Sequence, residues 1–188
     1  MKKTIFILIV TIAFITHVKA QQYYFPKGSI DDFRNKWYSE YLSAMNEPVL
    51  YPNKSNDEIY RFTWLRSFDH PIAISIIKHE NNYTLTWKEC SAAGGTNPGK
   101  IVVNKQKNIT KDNWDFFQYR LKQVNFWTIA TKDTTLGNDG AEWILEGKTP
   151  NRYHVTDRWT PHEGTDYYKC CDFLLSLTDL DIPAKRKY

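Results

Sequence analysis

Cysteine is scarce in this sequence, with three residues in 188. A chain of that length buries roughly two-thirds of its unfolded surface, so disulfides are optional and stability rests on the core. Long apolar runs are missing too. After the first twenty residues none approaches the ~20 residues that a bilayer-spanning helix needs, so no membrane span is predicted there. The chain opens "MKKTIFILIVTIAFITHVKA": two lysines, an apolar run from Ile5 to Ile15, and a Val18-Lys19-Ala20 end. That is the pattern of a secretory signal peptide, which predicts a periplasmic or secreted protein of residues 21–188, with its core at about 29–182.

Charge of one sign is also lacking. Of 25 basic side chains, Lys2, Lys3 and Lys19 leave with the signal, and the remaining 22 face 21 acidic ones. A near-neutral chain has no overall basic field for phosphate, which excludes nucleic acid as a partner. Only the tail "AKRKY" is locally basic.

Catalytic signatures are few. No G-x-S-x-G occurs. "HEGTD" (162–166) offers His162, Glu163 and Asp166 but lacks the second histidine of a zinc protease helix. "GGTNPGK" spells part of a phosphate loop, yet Ile101 stands where Ser or Thr is required and a strand, not a helix, follows. "TLGNDGAEWILE" has Gly140 and Glu146 at calcium-loop positions but Thr135 and Gly137 where acids belong. No cofactor and no metal are predicted, and the balance leans away from an enzyme. Residues scattered along a chain escape such motif tests, so the enzyme question stays open.

What is present is periodicity. Ser29 and Asp32 read as a helix start, followed by Phe33, Trp37, Tyr41, Leu42 and Met45 at helical spacing. "EIYRFTWLRSF" alternates as a half-buried strand. "PIAISIIKH" and "YTLTWKEC" form a hairpin, and "KIVVNKQ" a further strand. Thr110 caps a second helix carrying Trp114, Phe117, Leu121 and Val124, and "NFWTIAT" reads as a short extended segment. "AEWILEG" and "RYHVTDRW" are two more strands, before a helix over Asp166–Leu177. This order predicts one α+β domain: a mainly antiparallel sheet of about six strands, with about three helices packed on one face.

The candidate site comes from the last two strands. Side chains alternate between faces, so Tyr153, Val155, Asp157 and Trp159 share one side, and Arg152, His154, Thr156 and Arg158 the other. A register that sets apolar against apolar lays Glu142 and Glu146 beside Arg152, His154 and Arg158. This is either a ladder of ion pairs on a wet sheet face or a site where arginines hold an anion and an acid or His154 moves a proton. Asp157, among apolar neighbours, needs a partner, and Arg61 or Arg66 would supply one. In an oxidising compartment, Cys90 is expected to bridge Cys170 or Cys171, leaving one thiol over.

The blocks "YRFTWLRSFDHPIAI", "AAGGTNPGKI", "NDGAEWILEG" and "RYHVTDRWTP" resemble a group of secreted bacterial proteins in which similar blocks recur in the same order. The likeness covers roughly residues 58–182. It implies one intact exported domain and carries no assigned activity. The sequence therefore predicts a small exported binding or inhibitory module with a protein, small-molecule or glycan ligand. The alternative is a hydrolase or lyase acting on envelope glycan or another polar polymer.

Overall fold

The computed structural model describes residues 22–188 except Asn53, Thr134 and Leu136. The predicted signal peptide lies outside these residues. The elements run α1 (Asp32–Ala44), β1 (Glu58–Arg66), β2 (Ile72–His79), β3 (Asn82–Cys90), β4 (Ile101–Asn108), α2 (Lys111–Gln123), β5 (Ala141–Thr149), β6 (Arg152–Trp159) and α3 (Asp166–Ser176). The strands form one antiparallel sheet in the order β4-β3-β2-β1-β5-β6. The α+β class and the single six-stranded sheet are as the sequence predicts.

The layering differs from the expectation that all helices share one face. α2 and α3 pack Trp114, Phe117, Leu121, Cys170, Cys171 and Leu174 against Tyr60, Phe62, Trp64, Ile74, Trp143 and Leu145. On the opposite face α1 lays Tyr38, Tyr41 and Leu42 over Leu65, Ile144 and Val155. β1 is central, so almost all of it is buried. Its alternation separates two covered faces rather than core from water.

Helix ends follow local chemistry. α2 starts with a capping box between Thr110 and Asn113. For α1 the cap is Asp31 and not Ser29: its carboxylate accepts from the Arg34 N–H at 2.9 Å, while Ser29 serves the turn before it.

The register of the last hairpin is one residue away from the predicted one. Pro150 and Asn151 form a two-residue turn that sets Thr149 opposite Arg152, hence Glu146 opposite Val155 and Trp143 opposite Arg158. Turn length fixes register, and with helices on both faces no wet side exists to enforce apolar against apolar. Glu142, Ile144 and Glu146 therefore share the α1 face with Tyr153, Val155, Asp157 and Trp159. Arg152, His154 and Arg158 lie on the other.

The expected disulfide is absent. All three cysteines are free and buried, and the sheet separates them. Cys90 packs with Met45 and Ala73 on the α1 side, whereas Cys170 and Cys171 sit in the α3 core. "NFWTIAT" begins as tight turns around Asn125 and only its end runs along β6, where the Asp157 N–H donates to Thr131 O at 2.6 Å.

Candidate functional site

The register divides the six predicted site residues into three groups. Arg152, His154 and Arg158 serve the β6 edge. Arg152 lies 3.9 Å over the Trp127 ring. His154 Nε2 is 3.0 Å from Ile129 O and its ring meets Phe126 edge-on. Burial, with Arg158 adding to it, lowers its pKa. Arg158 donates to Thr131 O at 2.8 Å and Ala130 O at 2.7 Å. Together they fasten the 127–131 segment to the sheet edge, a structural task.

Glu146 belongs to a second group sealed under α1. Arg61 and Glu146 are both 0% exposed and paired, with Arg61 Nε 2.8 Å from Glu146 Oε2. The Tyr153 hydroxyl donates to the other Glu146 oxygen at 2.8 Å. Arg61 also donates to Pro48 O, and Glu47 is held by Lys88 Nζ at 2.9 Å. Every charge here has its counter-charge and no solvent reaches Arg61 or Glu146, so this cluster is scaffold.

Only Glu142 and Asp157 converge. Both are 4% exposed. Tyr38 donates its hydroxyl to Asp157 Oδ2 at 3.0 Å. Arg34 Nε lies 3.4 Å from Asp157 Oδ2 and 3.5 Å from Glu142 Oε1. The partner of Asp157 thus comes from α1, and not from Arg61 or Arg66; Arg66 donates to His70 O instead. Asp157 Oδ1 is buried and has no donor. Burial, then the adjacent Glu142 carboxyl within hydrogen-bond reach, raise the pKa of Asp157 to about 8. A like charge beside a buried carboxyl disfavours its ionisation, so Asp157 keeps its proton to higher pH than a free carboxyl.

Of this pair, Glu142 lines a cleft of about 790 Å³, together with Phe33, Trp37, Glu40 and Trp159 among others. A smaller cavity of about 80 Å³, lined by Arg34, Glu142, Asp157 and Trp159 among others, adjoins it. Glu142 and Trp159 border both spaces.

The cleft walls are α1 and two loops that the sequence blocks supply. In "AAGGTNPG" the Tyr41 hydroxyl donates to Gly95 O at 2.9 Å, and Gly94, at φ 62°, lies so close to Ser67 O that a Cβ would collide. In "GNDGAEW" the Ser67 N–H donates to Gly140 O at 2.9 Å and the Gly140 N–H donates to Ser67 Oγ at 3.2 Å, and Gly137 rests directly on the Trp159 indole. Ser67 thus ties one loop to the other. The glycines act through backbone packing and not through phosphate.

Sequence reasoning missed Arg34, Tyr38, Phe33 and Trp37. The helical spacing puts Phe33 and Trp37 in the buried stripe, yet Phe33 is 75% exposed and Trp37 is half-buried in the cleft wall. The available signal was the width of that stripe: with Tyr38 beside Trp37, α1 carries more aromatic surface than one sheet face covers.

Among the described residues no group of three or more His, Cys, Asp or Glu side chains is placed to hold a metal ion, and no helix is long and apolar enough to cross a membrane. The fold and cleft define an antiparallel α+β domain with helices on both faces and an aromatic-walled cavity at one sheet end. Comparison with protein-family models, with curated proteins and with solved structures returns no match for this chain.

Proposed function

We propose that this protein is an exported binding module of the periplasm or cell surface whose cleft takes ring units of a polar, glycan-type ligand. One observation carries the reading: a cleft of about 790 Å³ lined by Phe33, Trp37 and Trp159 together with the buried carboxyl of Glu142. Apolar ring faces with a few convergent polar groups suit a ligand that is flat and greasy on its faces and hydroxylated at its rim.

Calorimetric titration with the neutral tetramer of N-acetylglucosamine tests it. Binding in the micromolar to millimolar range is expected, weakened about tenfold or more by Trp37→Ala. Unchanged affinity in that variant would remove the cleft from consideration. A second reading, hydrolysis of a glycan, has one observation in its favour: Glu40 and Glu142 line the same cleft, and glycosidic cleavage requires a pair of carboxyl groups. Release of shorter saccharides by the wild type, abolished in Glu142→Gln, would establish that reading over simple binding.

A further inference from the structure

The surroundings of the acid pair are one positive charge short. Four acids (Asp31, Asp133, Glu142 and Asp157) face three cations there. Arg34 and Lys132 both pair with Asp31, at 2.9 and 2.6 Å, and Arg158 Nε is 3.9 Å from Asp133. Glu142 and Asp157 are left to share Arg34 Nε at 3.4 to 3.5 Å, longer than a charge-assisted hydrogen bond. The Tyr38 hydroxyl satisfies Asp157 Oδ2 only. Asp157 Oδ1, on a side chain 3% exposed, has acceptor capacity and no donor. A shared proton supplies the missing charge at neutral pH, and burial with Glu142 as neighbour favours its retention.

A proton is not the only group that fits. The 80 Å³ cavity is lined by both Glu142 and Asp157 and shares Glu142 and Trp159 with the large cleft, so Glu142 is the acceptor that a cationic donor on a ring in the cleft meets first, with Asp157 behind it. We infer that the cleft selects an aminated ring ligand, an amino sugar, whose ammonium group takes the place of the shared proton on Glu142 and Asp157. The inference rests on the glycan reading above and names the ligand class within it. The exchange is balanced: one N–H cation enters, one proton leaves to solvent, and the site keeps its net charge. Lys36, which also lines the cleft, works against a polycation at the rim. Selection therefore depends on the acid pair and not on a general acidic field.

The test compares the tetramer of glucosamine with its N-acetylated counterpart, by calorimetry at about pH 6, where the amines carry charge, in two buffers of different ionisation enthalpy. The amine tetramer is expected to bind at least about tenfold more tightly, the worth of one charge-assisted hydrogen bond, and to release up to about one proton per site. Asp157→Asn removes one negative charge while keeping an acceptor for Tyr38, and is expected to abolish both the preference and the proton release. Glu142→Gln, expected to do the same, guards against a folding defect in the first variant. Equal affinity for the two tetramers, or a preference that survives in both variants, overturns the inference and leaves the cleft reading standing. Binding of neither tetramer overturns both.

Discussion

Replacing Arg61 by methionine asks whether the charged cluster under α1 is scaffold, as its burial argues. Wild-type Arg61 reaches Glu146 at 2.8 Å and Pro48 O at 2.8 Å, and lies 3.5 Å from Glu47. Methionine fills much of the volume but leaves Glu146 with the Tyr153 hydroxyl alone. Burial already pushes the Glu146 carboxyl upward, against Arg61 and Tyr153, which lower it, and without Arg61 nothing comparable opposes burial. Stranding one member of a buried ion pair costs about 3–5 kcal/mol, a large share of the roughly 5–15 kcal/mol available to a domain. Arg61→Met with Glu146→Leu removes both charges. What then remains is the loss of acceptor for Tyr153 and of donor for Pro48 O, on the order of 1–3 kcal/mol together. Urea unfolding followed by tryptophan fluorescence gives the cycle, with an expected coupling energy of about 2 kcal/mol or more. A single-variant cost under about 1 kcal/mol, or strictly additive losses, would refute the reasoning and return Glu146 to the list of functional candidates.

Other expectations follow from the same contacts. Because the pKa of Asp157 is raised to about 8, the folded state keeps a proton that the unfolded chain loses near pH 4. The stabilisation from this group is full below about pH 4 and is lost as pH rises through about 8. Thermal melts should show wild type losing stability relative to Asp157→Asn across that window, and parallel curves would contradict it. Gly137→Ala places a methyl group against the Trp159 indole and should lower Tm and weaken cleft binding together; a silent substitution would mean that the loop does not rest on that ring. Deleting residues 186–188 strips the Tyr188 carbonyl that accepts from Trp64 and Trp143 Nε1 at 2.9 Å each. Two buried donors lose their acceptor, so denaturant unfolding should show a loss of about 2 kcal/mol or more; an unchanged midpoint would deny the tail that role. The three thiols should resist a soluble disulfide reagent in the native state and all react after unfolding, since each is buried; a native reaction would place one at the surface.

Element identity was legible because it is written locally. Thr110 with Trp114 and Phe117, or the alternation of Tyr60, Phe62 and Trp64, needs no knowledge of the rest of the chain. Layering was not. Arg61 and Glu146 look like surface residues in any strand, and only the return of α1 across the second face, with Glu47 and Pro48 beyond it, makes them interior. The same return turned Phe33 and Trp37 toward the cleft, because Tyr38, Leu42 and Met45 took the positions against the sheet. Two of the six residues read from the strand pattern, Glu142 and Asp157, do meet, at the small cavity beside the cleft, but through a register set by the turn at Pro150 and Asn151 and not through opposed charges. Arg34 and Tyr38, which bind them, stand more than a hundred positions away in sequence, beyond the reach of any periodicity.

The most direct test follows the indole Nε1–H resonances of the tryptophans by two-dimensional NMR while the glycan tetramers are added. Trp37 and Trp159 should shift in proportion to occupancy while Trp64, Trp87 and Trp143, buried in the opposite core, stay in place. Shifts confined to Trp127, beside the separate groove of about 340 Å³ near Arg152, or an unaltered spectrum at saturating concentrations, would contradict the assignment of the cleft.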